Sequence, residues 1–373
     1  MTTVEGIAAL RPCYERLQGI TGNAVPFALY EWHLAWCRHF LNHDPDVKDE
    51  PLFFVLHNSS AACVAIVPFV ISRRRFGPFK IVSIQALGAD PAITEIRTPL
   101  IEVGYEYSTL QAVQNELSKV GNWDWIHWTG LNGALAEATH KMGELQPQPP
   151  LSDFVLDLTP SWEDFRSSRK RNIRESLRHC YNSLKRDGLG FELLVIEAPG
   201  EVRGALDRFL ELHVMRASLP ANAVHPNRFA SAVARDFLYE VCEQLSRRGI
   251  LRIFQLKIGS QIVAVRIAFA VGDRLYLYYS GFDPAWSKYS VMTTTVAEAI
   301  KYAIAHDFKT VGLSPGLDVS KTRWSPRQVD YQSAYQSGAR LRSRLACEAY
   351  MEARSGEGLL GRLLKYFIPA RRF

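Results

Sequence analysis

Four stretches of this sequence carry residue types that can do chemistry, and all of them lie in its second half. The first is basic. Arg169-Lys170-Arg171-Asn172-Ile173-Arg174 sits within a segment, 166–186, that holds eight Lys or Arg and one acid, Glu175. A guanidinium fork matches two phosphate oxygens at once, and adjacent cations repel one another unless an anion or solvent screens them. The run therefore reads either as a phosphate grip or as a solvated basic face. The second stretch is Glu211-Leu212-His213-Val214-Met215-Arg216. A free histidine titrates near neutral pH, so His213 suits a general base, although a lone helical histidine also serves structure. Glu211, two residues away, points to a different helix face, whereas Arg216 shares the face of His213.

The third stretch runs from Tyr276-Leu277-Tyr278-Tyr279-Ser280-Gly281-Phe282-Asp283-Pro284 to Lys288-Tyr289-Ser290-Val291-Met292. A strand ends there in a turn, and a helix opens near Ser290. Unpaired amides and the dipole at such a helix start attract anions. Asp283 is a second candidate proton acceptor, and the plainer reading is an aromatic core strand followed by an Asp-Pro turn. The fourth is Gly312-Leu313-Ser314-Pro315-Gly316 with Ser320-Lys321-Thr322-Arg323-Trp324, a strand running into a loop with two cations. Lys321 and Arg323 are expected to face the same cleft as Ser290. No serine is read as sitting in a nucleophile-elbow context, so a covalent enzyme intermediate on a serine is not expected. The six cysteines (Cys13, Cys37, Cys63, Cys180, Cys242, Cys347) form no CxxC and have no histidine at ligand spacing. They read as small buried hydrophobes in a reducing compartment, with no metal.

The elements that must position these residues follow from periodicity and punctuation. In the second half, strands are expected over 154–158 and 191–197, one long helix over 161–186, and helices over 202–218 and 229–248. Strands over 251–258, 262–271 and 275–282 are separated by Gly259-Ser260 and Gly272-Asp273, the chemistry of two-residue hairpins. A helix over 291–306, a strand over 310–313 and a last strand near Ala334 follow. In the first half, a helix over 28–41, strands over 52–56, 62–70 and 80–86, a helix over 107–119 and a strand over 125–128 are expected. Gln146-Pro147-Gln148-Pro149-Pro150 is expected to interrupt both ladders and to mark a domain boundary. The order predicts an α/β fold with a mixed, mainly antiparallel sheet.

In this order and spacing the segments resemble the FemAB-like, GNAT-type acyltransferases, specifically the family named for the cellulose-biosynthesis protein CelD. The basic 169–174 run, His213 with Arg216, and Gln261-Ile262-Val263-Ala264 carry the resemblance. So do Phe282-Asp283-Pro284, Lys288-Tyr289-Ser290 and Lys321-Thr322-Arg323-Trp324. Pro26-Phe27, Glu31-Trp32 and Ile66-Val67-Pro68-Phe69 extend it to the first half. The resemblance implies tandem GNAT-like domains, 1–150 and a catalytic 151–345, followed by an amphipathic basic tail, 346–373. It implies acyl transfer from acyl-CoA, acetyl-CoA foremost, to an amine or hydroxyl on a small molecule or glycan precursor in polysaccharide or envelope biosynthesis. His213 and Asp283 would be catalytic. Arg169, Lys170, Arg171, Arg174, Lys288, Tyr289, Ser290, Lys321 and Arg323 would hold the donor. The alternatives are a Fem-like transferase fed by aminoacyl-tRNA and a GNAT fold retained only for binding.

The bulk numbers frame this. A length of 373 residues favours two domains, and 47% hydrophobic with 22% charged residues is ordinary globular composition. A formal charge of +6 permits an anionic partner without naming one. The first residues lack a signal peptide's basic start and apolar core, and the apolar run 61–71 contains Pro68 and is too short to span a bilayer. A cytoplasmic protein is expected. Leu359, Leu360, Leu363, Leu364 and Phe367 repeat at helical spacing among cations, so the tail either packs as a stripe or rests on the inner face of a membrane.

Overall fold

Asn58, at the first reversal of the sheet, shows how local chemistry fixes a turn. Its side-chain oxygen accepts from the amides of Ser60 and Ala62, both at 3.0 Å, and the chain doubles back. The structure is a computed structural model that describes residues 2–22, 25–42, 46–76, 79–89, 93–139, 142, 145–219 and 225–355. Its contacts group into two units, one from 1–23, 27–151 and 330–373, the other from 24–26 and 152–329. Of the tail expected over 346–373, residues 346–355 belong to the last described helix, and those from 356 onward lie outside the described residues. Among the described residues no helix is long and apolar enough to cross a membrane.

The first unit opens with α1 (Val4–Ala8), α2 (Arg11–Thr21) and α3 (Tyr30–Phe40), of which only α3 was legible in the sequence. Strands β1 (Val47–His57), β2 (Cys63–Phe76) and β3 (Phe79–Ala86) form an antiparallel meander, and the short β4 (Leu100–Ile101) pairs β2. Helix α4 (Glu106–Val120) then crosses over to β5 (Trp125–Leu131), which lies parallel to β3. Helix α5 (Gly133–Thr139) follows. Leu110, Val113 and Leu117 of α4 pack onto Ile84, Ile126 and Trp128 of the sheet. At the end of the chain, β12 (Arg327–Ser337) pairs β5 and α12 (Leu341–Ser355) stacks Tyr350 on Trp125.

The proline cluster does not interrupt the chain as expected: β6 runs Gln146–Asp157 straight through it. Proline's fixed φ suits extended backbone, and Pro147, Pro149 and Pro150 lie exposed, outside the β6–β11 ladder at 153–157.

The second unit contains α6 (Trp162–Ser167), α7 (Arg171–Arg186), β7 (Phe191–Ile196), α8 (Pro199–Ala217) and α9 (Ala232–Arg247). The single helix expected over 161–186 is two. Ser161 caps the first by accepting from the Asp164 amide, while Ser167 and Ser168 hydroxyls bond back to the Asp164 and Phe165 carbonyls and end it. The meander β8 (Leu251–Ile258), β9 (Gln261–Val271), β10 (Arg274–Phe282) forms as expected, with Gly259 and Gly272 both at φ 58°. Helix α10 (Val291–Ala305) crosses over to β11 (Thr310–Pro315), parallel to β10, and α11 (Val319–Thr322) follows. Within the unit the strand order is β6-β11-β10-β9-β8-β7. Leu275, Leu277, Val311 and Phe254 pack against Ala297 and Ile300 of α10 and Phe165 of α6, and Trp324 closes the same core. The sheet is thus α/β, mixed and mainly antiparallel.

Candidate active site

The site lies where β10 and β11 part. Their parallel ladder runs only from Arg274↔Thr310 to Tyr276↔Gly312. Just beyond, β10 bulges against β9: Leu277 pairs with Ala268 and Ser280 with Arg266, so two residues face one. Such a bulge bends the strand and re-aims its side chains. Below the opening the sheet is locked by the Arg274 guanidinium, 2.6 Å from the fully buried Asp153 carboxylate. Gly312 is required for this pair, because a Cβ there would strike the guanidinium.

Helix α8 packs directly on β10 because Gly281 has no side chain; a Cβ would collide with the His213 amide. This contact fixes His213. Its Nδ1 lies 3.0 Å from the Ser280 carbonyl, and its Nε2 accepts from the Arg228 amide at 3.3 Å. A carbonyl only accepts, so Nδ1 carries the hydrogen and the ring is neutral, wedged against Phe209, Phe229 and Tyr279. Burial pushes its pKa down, with Arg216 and Arg228 nearby acting in the same direction against the Ser280 carbonyl.

One turn on, Arg216 donates from Nη1 to Ser280 Oγ at 2.8 Å and meets His225 Nε2 at 3.1 Å. Arg266 on β9 brings a second guanidinium, to the Tyr278 carbonyl at 3.1 Å and to Ser280 Oγ at 3.3 Å. A guanidinium cannot accept, so His225 Nε2 does, and its Nδ1 holds the proton. Burial and Arg216 lower the pKa of His225, and burial lowers that of Arg216 against the pull of Asp318. Burial pushes Asp318 up, but the Ser320 amide and hydroxyl together with His225 and Lys321 outweigh it and hold the carboxyl below its usual range. Asp318 Oδ1 caps α11 at the Ser320 amide, 2.7 Å away. Lys321 Nζ donates to the Ser314 and Pro315 carbonyls, at 3.2 and 2.5 Å. Arg216, His225, Asp318 and Lys321 thus form one electrostatic group, rich in donors, with one carboxylate.

The start of α10 forms the other end. Ser290 takes the left-handed conformation, φ 53°, which costs a non-glycine residue about 1–3 kcal/mol and marks a constrained turn. The Thr293 and Thr294 amides turn back to the Ser290 carbonyl, while those of Val291 and Met292 lie in the first turn, where no intrahelical acceptor exists. Arg323 reaches this point and donates to Thr293 Oγ1.

The residues expected from the sequence divide into groups. Arg323 and Ser290 come together at α10. Arg169 stacks on Phe165 at 4.5 Å and donates to the Trp324 carbonyl at 2.9 Å, next in chain to Arg323. Arg171 instead pairs with Glu175 on the exposed face of α7, and Lys170 is exposed at its cap. Arg174 lines a groove with Trp162, Arg166, Arg178 and Tyr181. Asp283 caps the turn 284–289 by accepting from the Ala285 amide. Lys288 and Tyr289 pin that turn to Asp187, at 3.7 and 2.8 Å. Arg266, His225 and Asp318 were missed; only Asp318, two residues before Ser320, carried a local signal, that of a capping aspartate.

A three-stranded meander, a crossover helix, a parallel strand that splays from its neighbour, and an amide-presenting helix start are now all in place. Residues 167–323 match the acetyltransferase (GNAT) domain. The GNAT match ends at Arg323 and includes both ends of the site. The chain resembles FemX, with a TM-score of 0.55 at 8% identity over 82% of this chain and 91% of that one. It also resembles the C-terminal domain of a putative lysylphosphatidylglycerol synthetase from Agrobacterium fabrum, with a TM-score of 0.51 at 12% identity over 90% and 95%. A conserved protein of unknown function from Bacteroides thetaiotaomicron gives 0.53 at 11% identity over 88% and 97%. At these identities the likeness concerns the fold. No curated protein matches the chain.

Proposed function

We propose that the second unit is an acyl-CoA-dependent acyltransferase acting on an amine or hydroxyl. The observation that carries this reading is the parting of β10 from β11 beside a helix start, within the stretch matched by the GNAT domain. The pyrophosphate would rest on the Val291 and Met292 amides with Arg323 as its cation. Backbone of β10 beyond Tyr276 would polarise the thioester carbonyl. The acceptor attacks that carbon, the new C–N or C–O bond forms as C–S breaks, and the acceptor's proton ends on the CoA sulfur. Asp318 would relay it, as the carboxylate of the group formed with Arg216, His225 and Lys321. His213, with both ring nitrogens engaged, positions Ser280 and Arg216 rather than moving the proton. Asp283, committed to its cap, holds the turn.

The donor-rich group around Arg216 and Arg266 suits an acceptor that carries negative charge. The division into two GNAT-like domains, the CelD-like assignment and a role in polysaccharide or envelope biosynthesis rest on motif order, and we keep them as part of this proposal. A thermal-shift series with acetyl-CoA, longer acyl-CoAs and free CoA tests the reading. A ligand that binds only the folded state, at a hundred times its Kd, adds about 2.7 kcal/mol. No shift with any CoA, together with salt-sensitive retention of aminoacyl-tRNA, would replace it with the Fem-like alternative. No response to either would leave a binding module.

A further inference from the structure

The cysteines that look scattered in sequence are not all scattered in the fold. Cys13, His57 and Cys63 each present a ligand atom, and the three atoms lie within 4.8 Å of one another. Three separate elements bring them there. His57 and Cys63 are register partners across the β1–β2 hairpin, at its bulged end, so their side chains are direct cross-strand neighbours. The loop between them is held by Asn58, which takes two amides on its side chain and exchanges backbone bonds with Ala61 and Ala62. Cys13 comes from the first turn of α2, and Arg16, one turn on, ties that helix to the same place. Its guanidinium donates to the Cys63 carbonyl and pairs with Glu102 at 2.9 Å.

We propose that Cys13, His57 and Cys63 form a three-ligand site for a thiophilic divalent cation of the zinc class, which fastens α2 to the β1–β2 hairpin. The chemistry of the set decides the ion: two sulfurs and one imidazole suit zinc or cobalt and not magnesium or calcium. In a tetrahedral site with Zn–S of about 2.3 Å and Zn–N of about 2.0 Å, ligand atoms stand roughly 3.5–3.8 Å apart. Closing from within 4.8 Å needs about 1 Å of side-chain movement, and the exposed His57 is free to supply it. On binding, two S–H protons pass to solvent as two metal–sulfur bonds form, the imidazole donates its lone pair, and water takes the fourth position. Two thiolates balance the dication, so no net charge is added beside Arg16. Nothing in the sequence announces the set, because the ligands are 44 and 6 residues apart and match no zinc spacing.

Cobalt titration of reduced, chelator-treated full-length protein tests this. One equivalent of Co2+ should give thiolate-to-cobalt charge transfer with the intense visible bands of a tetrahedral site, and Zn2+ should abolish both. His57→Ala, an exposed change that leaves folding unaffected, should weaken Co2+ at least tenfold. The Cys13→Ser/Cys63→Ser protein should show no charge transfer, while Cys242→Ser, in the other unit, should behave as wild type. Far-UV circular dichroism of each variant separates loss of ligand from loss of fold. Absence of the bands in wild type overturns the proposal, as does their persistence in the double variant. A Cys13–Cys63 disulfide in air-purified protein whose reduced form takes up no cobalt overturns it too, in favour of a redox pair.

Discussion

The two units contain the same local device and use it differently. In each, a three-stranded antiparallel meander leads through a crossover helix to a parallel strand, and in each the parallel ladder spans three residue pairs: Ser83↔Trp125 to Gln85↔His127, and Arg274↔Thr310 to Tyr276↔Gly312. In the first unit the chain itself fills the space beyond. Thr129 Oγ1 donates to the Arg97 carbonyl at 3.2 Å, and Gly130, at φ 71°, lies so close to that carbonyl that no Cβ fits. Leu87, Thr98, Pro99, Leu110 and Trp128 line what remains. In the second unit the corresponding space is bordered by Arg216, Arg266, His225, Asp318 and Lys321. A splayed strand pair needs something to satisfy its edge; in the first unit that is a segment of the same chain, and in the second we propose that it is the acyl donor.

The largest effect expected from this contrast is catalytic. Asp318→Asn should lower kcat by about 10²–10⁴ while leaving KM for acyl-CoA nearly unchanged, the range general-base relay commands. Steady-state kinetics with both substrates varied will check it, and a wild-type kcat removes Asp318 from the mechanism. His213→Gln provides the counterpart. As a positioning residue it should lower activity without moving either limb of the pH–rate profile between pH 6 and 9. Disappearance of a limb would restore His213 as the base.

Next in size are the two cations. Arg323→Ala should weaken acyl-CoA binding by at least tenfold at low salt and leave KM for the acceptor alone, whereas Arg216→Ala should do the reverse. If both changes act on the donor, the division of the cleft into two ends is wrong.

How much of this was legible varies with the range of the interaction. The meander was, because Gly259 and Gly272 announce two-residue turns with positive φ. The break at Ser168 was not, because serine hydroxyls end helices without disturbing the apolar period. The proline cluster misled because proline forbids a ladder bond, not an extended chain. In the site, Ser290 and Arg323 could be named from a strand-turn-helix pattern and a cationic loop. The two nitrogens of His213 could not, since their partners, Ser280 and Arg228, are set by how α8 meets β10. Arg171 carries a different lesson: the sequence shows the basic cluster, and the fold adds that Glu175, one turn away, pairs with it at 2.6 Å on the exposed face of α7.

A packing prediction follows from the glycines. Gly281→Ala should destabilise by about 1–3 kcal/mol, the cost of overpacking against backbone, and should also depress activity because it moves α8 and His213. Gly130→Ala should cost at least as much, with φ 71° adding strain, and should leave acyl-CoA affinity unchanged. Chemical denaturation paired with binding measures both. Equal effects on affinity would erase the distinction between the filled and the lined gap.

The smallest expected effect concerns acid. Burial holds His33 down to about 3 against the Phe27 carbonyl, and burial with Arg97 and Arg354 keeps His127 well below its usual value. Both lie in the first unit, and burial depresses them further than it does His213 and His225 of the second. Their folded pKa values are depressed, so the stability they contribute is complete above about 6.5 and is lost progressively as pH falls below it. The first unit should lose protection before the second between pH 6.5 and 4.5, by hydrogen exchange corrected for the intrinsic rate. Loss in the opposite order would contradict the assignment.

The most direct test of the central claim is hydrogen exchange of the full-length protein with and without saturating acetyl-CoA. The account predicts protection at 276–281, at 290–294 and at 314–323, with exchange at 86–89, 97–99 and 128–131 unchanged. Protection of the first unit's segments instead, or none in either unit, would contradict it.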